Sequence, residues 1–259
     1  MSVRSGLGAA RRRVLCSLYR RTVPLGDGGP IVSFSFDDFP RTALSAGGAI
    51  LEQVGARGTY YAAIGLMNTS NELGEQFRSG DLDSLLEKGH ELASHTFNHI
   101  SCRSVSGAEF REDVAKGRKA IEEVAGVESA NFAYPFGHVT LQAKRTLGLD
   151  LGSARSIVPG FNGPEIDLNL LRANSLYGDL DEAGRAEELI LENMERKNWL
   201  IFYTHDVRSK PSAFGCTPAL LEAAVSCAVR RGCRILTVRE ALAEVGVERE
   251  AQSSAMVAY

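Results

Sequence analysis

Two adjacent carboxylates end an apolar run near the start of the chain. Asp37 and Asp38 follow the run Phe34-Ser35-Phe36 and precede Phe39-Pro40. Burying one unpaired charge is costly and burying two like charges costs more, so this pair needs a cation, a shared proton or water to offset it. The rest of the chain must supply that compensation.

Two histidines four residues apart supply candidate partners. In His95-Thr96-Phe97-Asn98-His99 the two imidazoles point the same way on one helical turn or in a tight loop, where both can bind a divalent cation. This spacing alone is more typical of surface or structural histidines. A carboxylate from the aspartate pair completes a set of two nitrogens and one oxygen, which leaves coordination positions open for water and substrate. We therefore expect one aspartate to bind metal and the other to act as a base.

Strand-like and helix-like segments alternate along the chain and position these residues. Runs of strand length lie at 31–36, 58–64, 90–94, 131–134, 151–156, 170–176, 200–204 and 234–238. The clearest helical segments are 107–124, 182–197 and 218–231, the last with Thr217 as N-cap, Pro218 at the first helical position and Gly232 as the stop signal. This alternation predicts an α/β fold with a parallel sheet, either a closed barrel or an open, doubly wound sheet.

The ionisable residues fall where predicted parallel strands end. After the first, third, fourth and seventh strands come, in turn, Asp37 and Asp38, His95 and His99, Tyr134-Pro135-Phe136-Gly137, and His205 and Asp206. In a barrel the carboxyl ends of the strands share one face, where active sites are built. We therefore expect these residues to converge there.

The charge distribution argues against nucleic-acid binding. The first 21 residues hold six arginines and no acid, and the remaining 23 Lys and Arg residues are outnumbered by 32 Asp and Glu residues. The arginine-rich segment is consistent with a solvated tail, a targeting segment or peripheral contact with an anionic membrane surface.

The other bulk features predict a cytoplasmic protein. No secretory signal or membrane-spanning run is apparent, and the five cysteines are scattered and odd in number. This pattern favours reduced thiols over a disulfide framework. The chain length suits a single α/β barrel.

Four motifs in order resemble those of the polysaccharide deacetylases, the NodB-homology or carbohydrate esterase family 4 group. They read FSFDDFP, SHTFNH, FAYPFG and IFYTHD, and the resemblance runs from about residue 31 to about residue 238. It implies a distorted (β/α) barrel of about seven parallel strands. We accordingly divide the chain into a basic segment (1–24), the barrel (25–245) and a C-terminal tail (246–259).

The resemblance also implies a role for each motif residue. Asp37 would be the general base and His205 the general acid, while Asp38, His95 and His99 would bind the metal and Thr96 would fix their loop. The segment Pro135-Phe136-Gly137 would bind substrate, with the Phe136 N–H donating to the oxyanion. The expected metal is zinc, with cobalt, nickel or iron also suited to this ligand set. The expected substrate is an N-acetylated oligosaccharide or polysaccharide.

The chain departs from the family pattern at several positions. Phe39 replaces a glycine, which predicts a narrower sugar-binding groove, and Ala133 replaces the arginine that steadies the catalytic aspartate. We expect Arg172 to supply that missing cation. The tryptophan-bearing fourth motif has no clear match, which leaves Asp167 and Asp206 as weak candidates for orienting the general acid.

These departures keep two alternatives open. One is a non-catalytic relative that binds a carbohydrate or a partner protein through the same barrel. The other is a deacylase of a different amide or ester.

Overall fold

A curled sheet of parallel strands lies at the centre of the computed structural model, which describes residues 12–148 and 150–247. Along the sheet the strands follow the order β10 (Asn174–Ser175), β11 (Trp199–Thr204), β2 (Ile31–Asp37), β3 (Thr59–Ala62), β6 (Glu91–Ser94), β7 (Asn131–Ala133) and β8 (Ser153–Arg155). Every pairing on this path is parallel. The predicted distorted (β/α) barrel of about seven parallel strands is thereby confirmed.

Shorter strands surround this sheet. The last strand, β12 (Arg234–Ile235), pairs with the first two residues of β2, and β1 (Thr22–Pro24) pairs antiparallel with β9 (Glu165–Asp167). A small hairpin joins β4 (Ser70–Asn71) to β5 (Gly74–Glu75). Neither the hairpin nor the β1–β9 pair was predicted from sequence.

The strand predicted at 170–176 is regular only at β10. Upstream of β10 the same stretch bonds to the end of β8: the Leu171 N–H donates to the Ala154 carbonyl (2.9 Å), and the Ser156 N–H donates to the Leu171 carbonyl (2.8 Å). An irregular segment therefore links β8 to β10 at the open side of the curled sheet.

Helices cover the outside of the sheet. They are α1 (Ala49–Gln53), α2 (Ser79–Glu87), α3 (Gly107–Ala125), α4 (Leu141–Leu147), α5 (Ala183–Arg196), α6 (Pro218–Arg230) and α7 (Val238–Glu244), with a π-helical turn at Ala43–Gly48 before α1. The three predicted helices match α3, α5 and α6 to within one residue at each end. Side-chain caps explain this agreement for α3 and α6, since the Ser106 hydroxyl accepts from the Glu109 N–H and the Thr217 hydroxyl accepts from the Leu220 N–H.

Side chains of the central strands alternate between two environments. Val32, Phe34 and Phe36 of β2 face outward into the main hydrophobic cluster beneath the helices, whereas Ser33 and Ser35 lie between them in the strand and are also buried. The β-strand period of two thus places serine and aspartate on the inner side of the sheet, where the barrel lumen is polar.

Hydrogen bonds close the lower end of this lumen. The buried Glu91 carboxylate accepts from the Thr59 hydroxyl (2.8 Å), the Asn131 amide (2.6 Å) and the Arg239 N–H at the start of α7 (2.9 Å). Because the Glu91 carboxylate has three hydrogen-bond donors, this buried acid stabilises the amino ends of the strands. The opposite, carboxyl ends of the strands are therefore free to form a site.

The described part of the basic N-terminal segment packs onto the barrel. Leu15 lies in a hydrophobic cluster with residues of α3 and α4, and the Lys144 ammonium donates to the Leu15 carbonyl (2.8 Å). The Arg21 guanidinium donates to the carbonyls of Gly148 (2.8 Å) and Leu151 (2.7 Å). Residues 1–11 and the predicted tail beyond 247 lie outside the described residues.

Within those described ranges, no helix has both the length and the apolar character needed to cross a bilayer.

Replacing Lys144 by Met should destabilise the protein by about 3 kcal/mol. The substitution leaves the Leu15 carbonyl without its donor and removes the buried partner of the Asp167 carboxylate, 2.6 Å away. Lys119→Met is the matched control, because Lys119 is exposed and pairs with Glu123 in solvent, so its loss should cost less than about 1 kcal/mol. Urea unfolding of both variants measures the difference, and equal midpoints would contradict the anchoring role.

Candidate active site

Loops at the carboxyl ends of the strands surround a cavity of about 360 Å³. It is lined by Asp37, Asp38, Asn71, Glu72, Leu73, His95, His99, Phe136, Gly137, Ile157, Tyr177, Tyr203, His205 and Phe214. The predicted catalytic and metal-binding residues therefore converge on one face, as expected from their positions at the ends of predicted parallel strands.

Asp38, His95 and His99 form a compact ligand set within this cavity. The Asp38 Oδ1 lies 3.0 Å from Nε2 of His99 and 3.5 Å from Nε2 of His95. One candidate ligand atom from each residue lies within 4.8 Å of the others. Left-handed backbone angles at Asp38 (φ +62°) and His99 (φ +54°) make the tight turns that bring them together.

The chemistry of these three groups fits a divalent cation. The Nδ1 of His95 lies 2.8 Å from the Ala133 carbonyl, so it carries the proton and leaves Nε2 with a lone pair. The buried Asp38 Oδ1 has no hydrogen-bond donor within the described residues. Acceptors that face one another at close range need a shared positive charge, which a metal ion supplies.

Burial keeps the ligand histidines neutral. It lowers the pKa of His95 to about 3 and also lowers the pKa of His99. Burial raises the pKa of Asp38 to about 6. Neutral imidazoles are the form that coordinates metal, so this environment favours an ion over protons at neutral pH.

An aspartate of α3 holds the loop that carries the histidines. The Asp113 carboxylate accepts from the N–H groups of Phe97 and Asn98, both at 2.9 Å. The Thr96 hydroxyl accepts from the Ile100 N–H at 3.3 Å, which agrees with the expectation that Thr96 fixes this loop. Asp113 was missed by sequence reasoning, because its position within an ordinary helix gives no signal of a distant loop.

The cation beside Asp37 is Arg155. Its Nη2 lies 2.5 Å from both carboxylate oxygens, and the guanidinium lies between the rings of Tyr61 (4.9 Å) and Tyr203 (5.1 Å). Burial by itself raises the pKa of the Asp37 carboxyl, but the nearby Arg155 charge holds that pKa below its usual value. Asp37 is therefore ionised at neutral pH.

In the parallel pairing of β7 with β8, Arg155 lies beside Ala133. The arginine that the family pattern has at position 133 is therefore replaced by an arginine at the adjacent position of the neighbouring strand. The prediction that Arg172 fills this role was wrong. Its guanidinium donates to the Pro159 carbonyl (3.0 Å) and lines a separate polar cavity with Cys16. A usable signal was present, since Arg155 is the one charged residue in the strand predicted at 151–156.

Phe39 does not narrow the cavity. It is fully buried and packs against Tyr60 (ring centroids 5.0 Å apart) and Phe77 (5.1 Å). The expected narrowing was wrong because the left-handed turn at Phe39 (φ +60°) directs the ring into the core beneath α2.

The segment Pro135–Gly137 forms a 3-10 turn at the end of β7. Pro135 is buried, whereas the Phe136 ring is 56% exposed and lies 4.5 Å from the His99 ring. Phe136 has a left-handed backbone (φ +58°), and a side chain at Gly137 would collide with Ile157. Phe136 and Gly137 thus line the cavity next to the ligand set, and Pro135 precedes them in the same turn.

His205 also lines the cavity, and a backbone carbonyl orients its ring. Its Nδ1 lies 3.0 Å from the Phe214 carbonyl oxygen. Neither weak carboxylate candidate contacts the ring. Asp167 pairs with Lys144, and the buried Asp206 carboxylate accepts from the Ser212 N–H (2.9 Å) and forms an ion pair with Arg208, whose Nε lies 2.7 Å away. Asp206 thereby holds the loop that presents the carbonyl.

Sequence reasoning also missed much of the cavity wall. Tyr177 and the half-exposed Phe214 face His205, with ring centroids 6.1 and 5.8 Å from the imidazole. Glu72 and Leu73 reach the cavity from the β4–β5 hairpin. These residues lie in loops, where no periodic pattern marks which side chains face a site.

The family comparison covers the first three of the four motifs, and the motif that contains His205 lies beyond the matched residues. Residues 26–152 match the model of the polysaccharide deacetylase family. No curated protein matches the chain in sequence. The resemblance to polysaccharide deacetylases inferred from the motifs is confirmed by the family match.

Solved structures of carbohydrate esterase family 4 share the fold. The domain of that family in a multidomain xylanase from the hindgut metagenome of Trinervitermes trinervoides is 20% identical and aligns with 84% of this chain and 92% of its own, at a TM-score of 0.60. A family 4 acetyl xylan esterase from Clostridium thermocellum, solved with a cobalt ion, is 17% identical over 85% and 93% of the two chains, also at 0.60. A mutant of a pseudoenzyme of the family is 14% identical over 84% and 69%, at 0.52.

The candidate ligand set predicts binding of one divalent ion per chain, for which zinc serves as the test ion. Replacing His99 by Gln removes one of three ligands and should weaken zinc binding by at least about 100-fold, because even partners behind the ligands contribute tenfold or more. Competition titration with a chromophoric chelator measures both affinity and stoichiometry.

His138→Gln provides the matched control. His138 also lies near Phe136, at 5.7 Å between ring centroids, but it is not in the ligand set. The control should bind zinc like the parent. Equal weakening in both variants would show that the ion binds elsewhere.

Proposed function

Residues 26–152 of the chain belong to the polysaccharide deacetylase family, and on this premise we propose that the protein is a metal-dependent hydrolase that removes acetyl groups from an N-acetylated carbohydrate. One observation carries the proposal: an ionised carboxylate, a three-residue ligand set and a histidine line one cavity. A protein that only binds sugar has no chemical need for this combination.

The residues that would hold the metal are Asp38, His95 and His99. Zinc is the expected ion, and cobalt, nickel and iron also suit two imidazoles with one carboxylate. When bound, such an ion polarises an amide carbonyl and lowers the pKa of water.

Side chains of the protein then accept and donate the protons of the reaction. Asp37, kept ionised by Arg155, accepts a proton from the attacking water as the C–O bond forms. The Phe136 N–H donates to the developing oxyanion, a type of contact worth about 10²–10³ in rate. His205 donates a proton to the amide nitrogen as the C–N bond breaks, because an unprotonated amine leaves poorly. Acetate and a free amine are released.

The cavity walls support a carbohydrate substrate. Phe136 and Phe214 expose about half of their surface at the rim, and such aromatic faces can pack against the apolar face of a sugar ring. The Glu72 carboxylate at the same rim disfavours an anionic group beside the acetamide. An O-acetyl ester or a different amide remains the alternative substrate for the same groups.

We also place the protein in the cytoplasm. The support is that Cys16, Cys102, Cys216, Cys227 and Cys233 are all free thiols.

Asp37→Asn should abolish acetate release from N-acetylated oligosaccharides. The amide cannot accept the proton of the attacking water, and loss of a general base typically costs about 10²–10⁴ in rate. Chelator treatment should have the same effect on the parent protein, with restoration on adding zinc. Acetate is measured by a coupled enzymatic assay.

The same assay separates the enzyme from the non-catalytic alternative. Sugar binding with no acetate released by the zinc-loaded parent would favour the binding protein. Acetate release by Asp37→Asn at the parent rate would contradict the assignment of Asp37 as the general base.

Arg155→Met should lower kcat/KM by at least about 100-fold, whereas Arg172→Met should change it by less than about twofold. Loss of Arg155 leaves the buried Asp37 without its cation, which raises the pKa of the carboxyl and protonates the base. The low-pH limb of the kcat/KM profile should therefore move to higher pH.

Arg155→Lys tests whether charge is the cause. This variant should recover part of the parent's kcat/KM and should move the low-pH limb of the kcat/KM profile back towards lower pH. Circular dichroism checks that all three variants are folded. A larger loss in Arg172→Met than in Arg155→Met would contradict the assignment.

A further inference from the structure

We propose that the surface formed by Arg12, Arg13, Val14, Leu18, Tyr19 and Arg145, here the N-terminal patch, docks the protein on an anionic lipid surface. The proposal is independent of the catalytic assignment, because none of these residues lines the cavity.

The apolar part of the patch faces solvent on a fixed support. Val14 (45%), Leu18 (46%) and Tyr19 (45%) are among the most exposed large apolar side chains of the described residues. Val14 and Leu18 are one helical turn apart, and the Leu18 N–H donates to the Val14 carbonyl (3.1 Å). Leu15 points the other way and is 92% buried, so the turn is anchored to the barrel.

Positive charge surrounds these apolar side chains. Arg12 and Arg13 are exposed, and the exposed Arg145 of α4 lies with its guanidinium carbon 5.6 Å from the centre of the Tyr19 ring. An apolar stripe flanked by arginines is the arrangement of segments that lie at a bilayer interface.

Nearby arginines have a different use. Arg20 pairs with Glu165 at 2.6 Å, and Arg21 donates to main-chain carbonyls around residues 148–152. They attach the segment to the barrel, which leaves Arg12, Arg13 and Arg145 to face a partner.

Charge complementarity selects the partner. Acidic residues outnumber basic ones in the chain after residue 21, so an anionic surface repels most of the molecule and attracts the N-terminal patch. Three half-exposed side chains bury little apolar area, and stable membrane attachment requires a second, electrostatic contribution. Binding should therefore need anionic lipid and should be lost at high salt.

The test is co-sedimentation of the full chain with vesicles of phosphatidylcholine, with or without phosphatidylglycerol. The parent should sediment only with the anionic vesicles at low salt. Arg12→Ser with Arg13→Ser should weaken binding by at least about tenfold. Val14→Asp with Leu18→Asp should do the same, because it removes apolar contact and adds repulsion.

Controls come from α6, which contributes no residue to the N-terminal patch. Val229→Asp introduces the same change at a 47% exposed valine of α6, and Arg230→Ser removes an exposed arginine beside it. Both should bind like the parent, and all variants should keep the parent's unfolding midpoint.

Three results would overturn the proposal: equal sedimentation with neutral and anionic vesicles, parental binding by both patch variants, or equal weakening by the Val229 and Arg230 controls. Failure of the catalytic proposal alone would leave these outcomes unchanged, because vesicle binding is measured without substrate.

Discussion

The buried pair of Asp37 and Arg155 is the interaction on which the site depends. Two adjacent carboxylates end one strand, and the interior tolerates them only if each is compensated separately. Arg155 neutralises Asp37 through both carboxylate oxygens. Asp38 is left facing two neutral imidazoles with no cation in contact among the described residues. This asymmetry makes one aspartate a candidate base and the other a candidate metal ligand.

The barrel lumen is shaped around that arginine. Small side chains at Ala93 and Ala133 leave room inside the sheet, and the rings of Tyr61 and Tyr203 pack against the guanidinium. Burying arginine is expensive, so its charge and donors must be satisfied where it lies. The apolar cluster outside the strands supplies the stability that allows a polar interior.

The loops that complete the site are fixed by side chains that never reach the substrate cavity. Asp113 holds the histidine loop from α3, and Asp206 holds the loop that offers the Phe214 carbonyl to His205. A family relative lacking these contacts could keep every motif residue and still misplace it. One solved structure with this fold is a mutant of a pseudoenzyme, so the fold alone does not imply catalysis.

The sequence by itself determined the helices with clear caps, the alternation of strands and helices, and the set of acids and histidines at strand ends. These features depend on local spacing, which the period of a strand or helix makes visible. Only the tertiary structure decided that Arg155 rather than Arg172 meets Asp37, that a carbonyl orients His205, and that Phe39 is buried. Arg155 and Asp37 are 118 residues apart, and local periodicity cannot tell which strands become neighbours or where a left-handed turn directs a side chain.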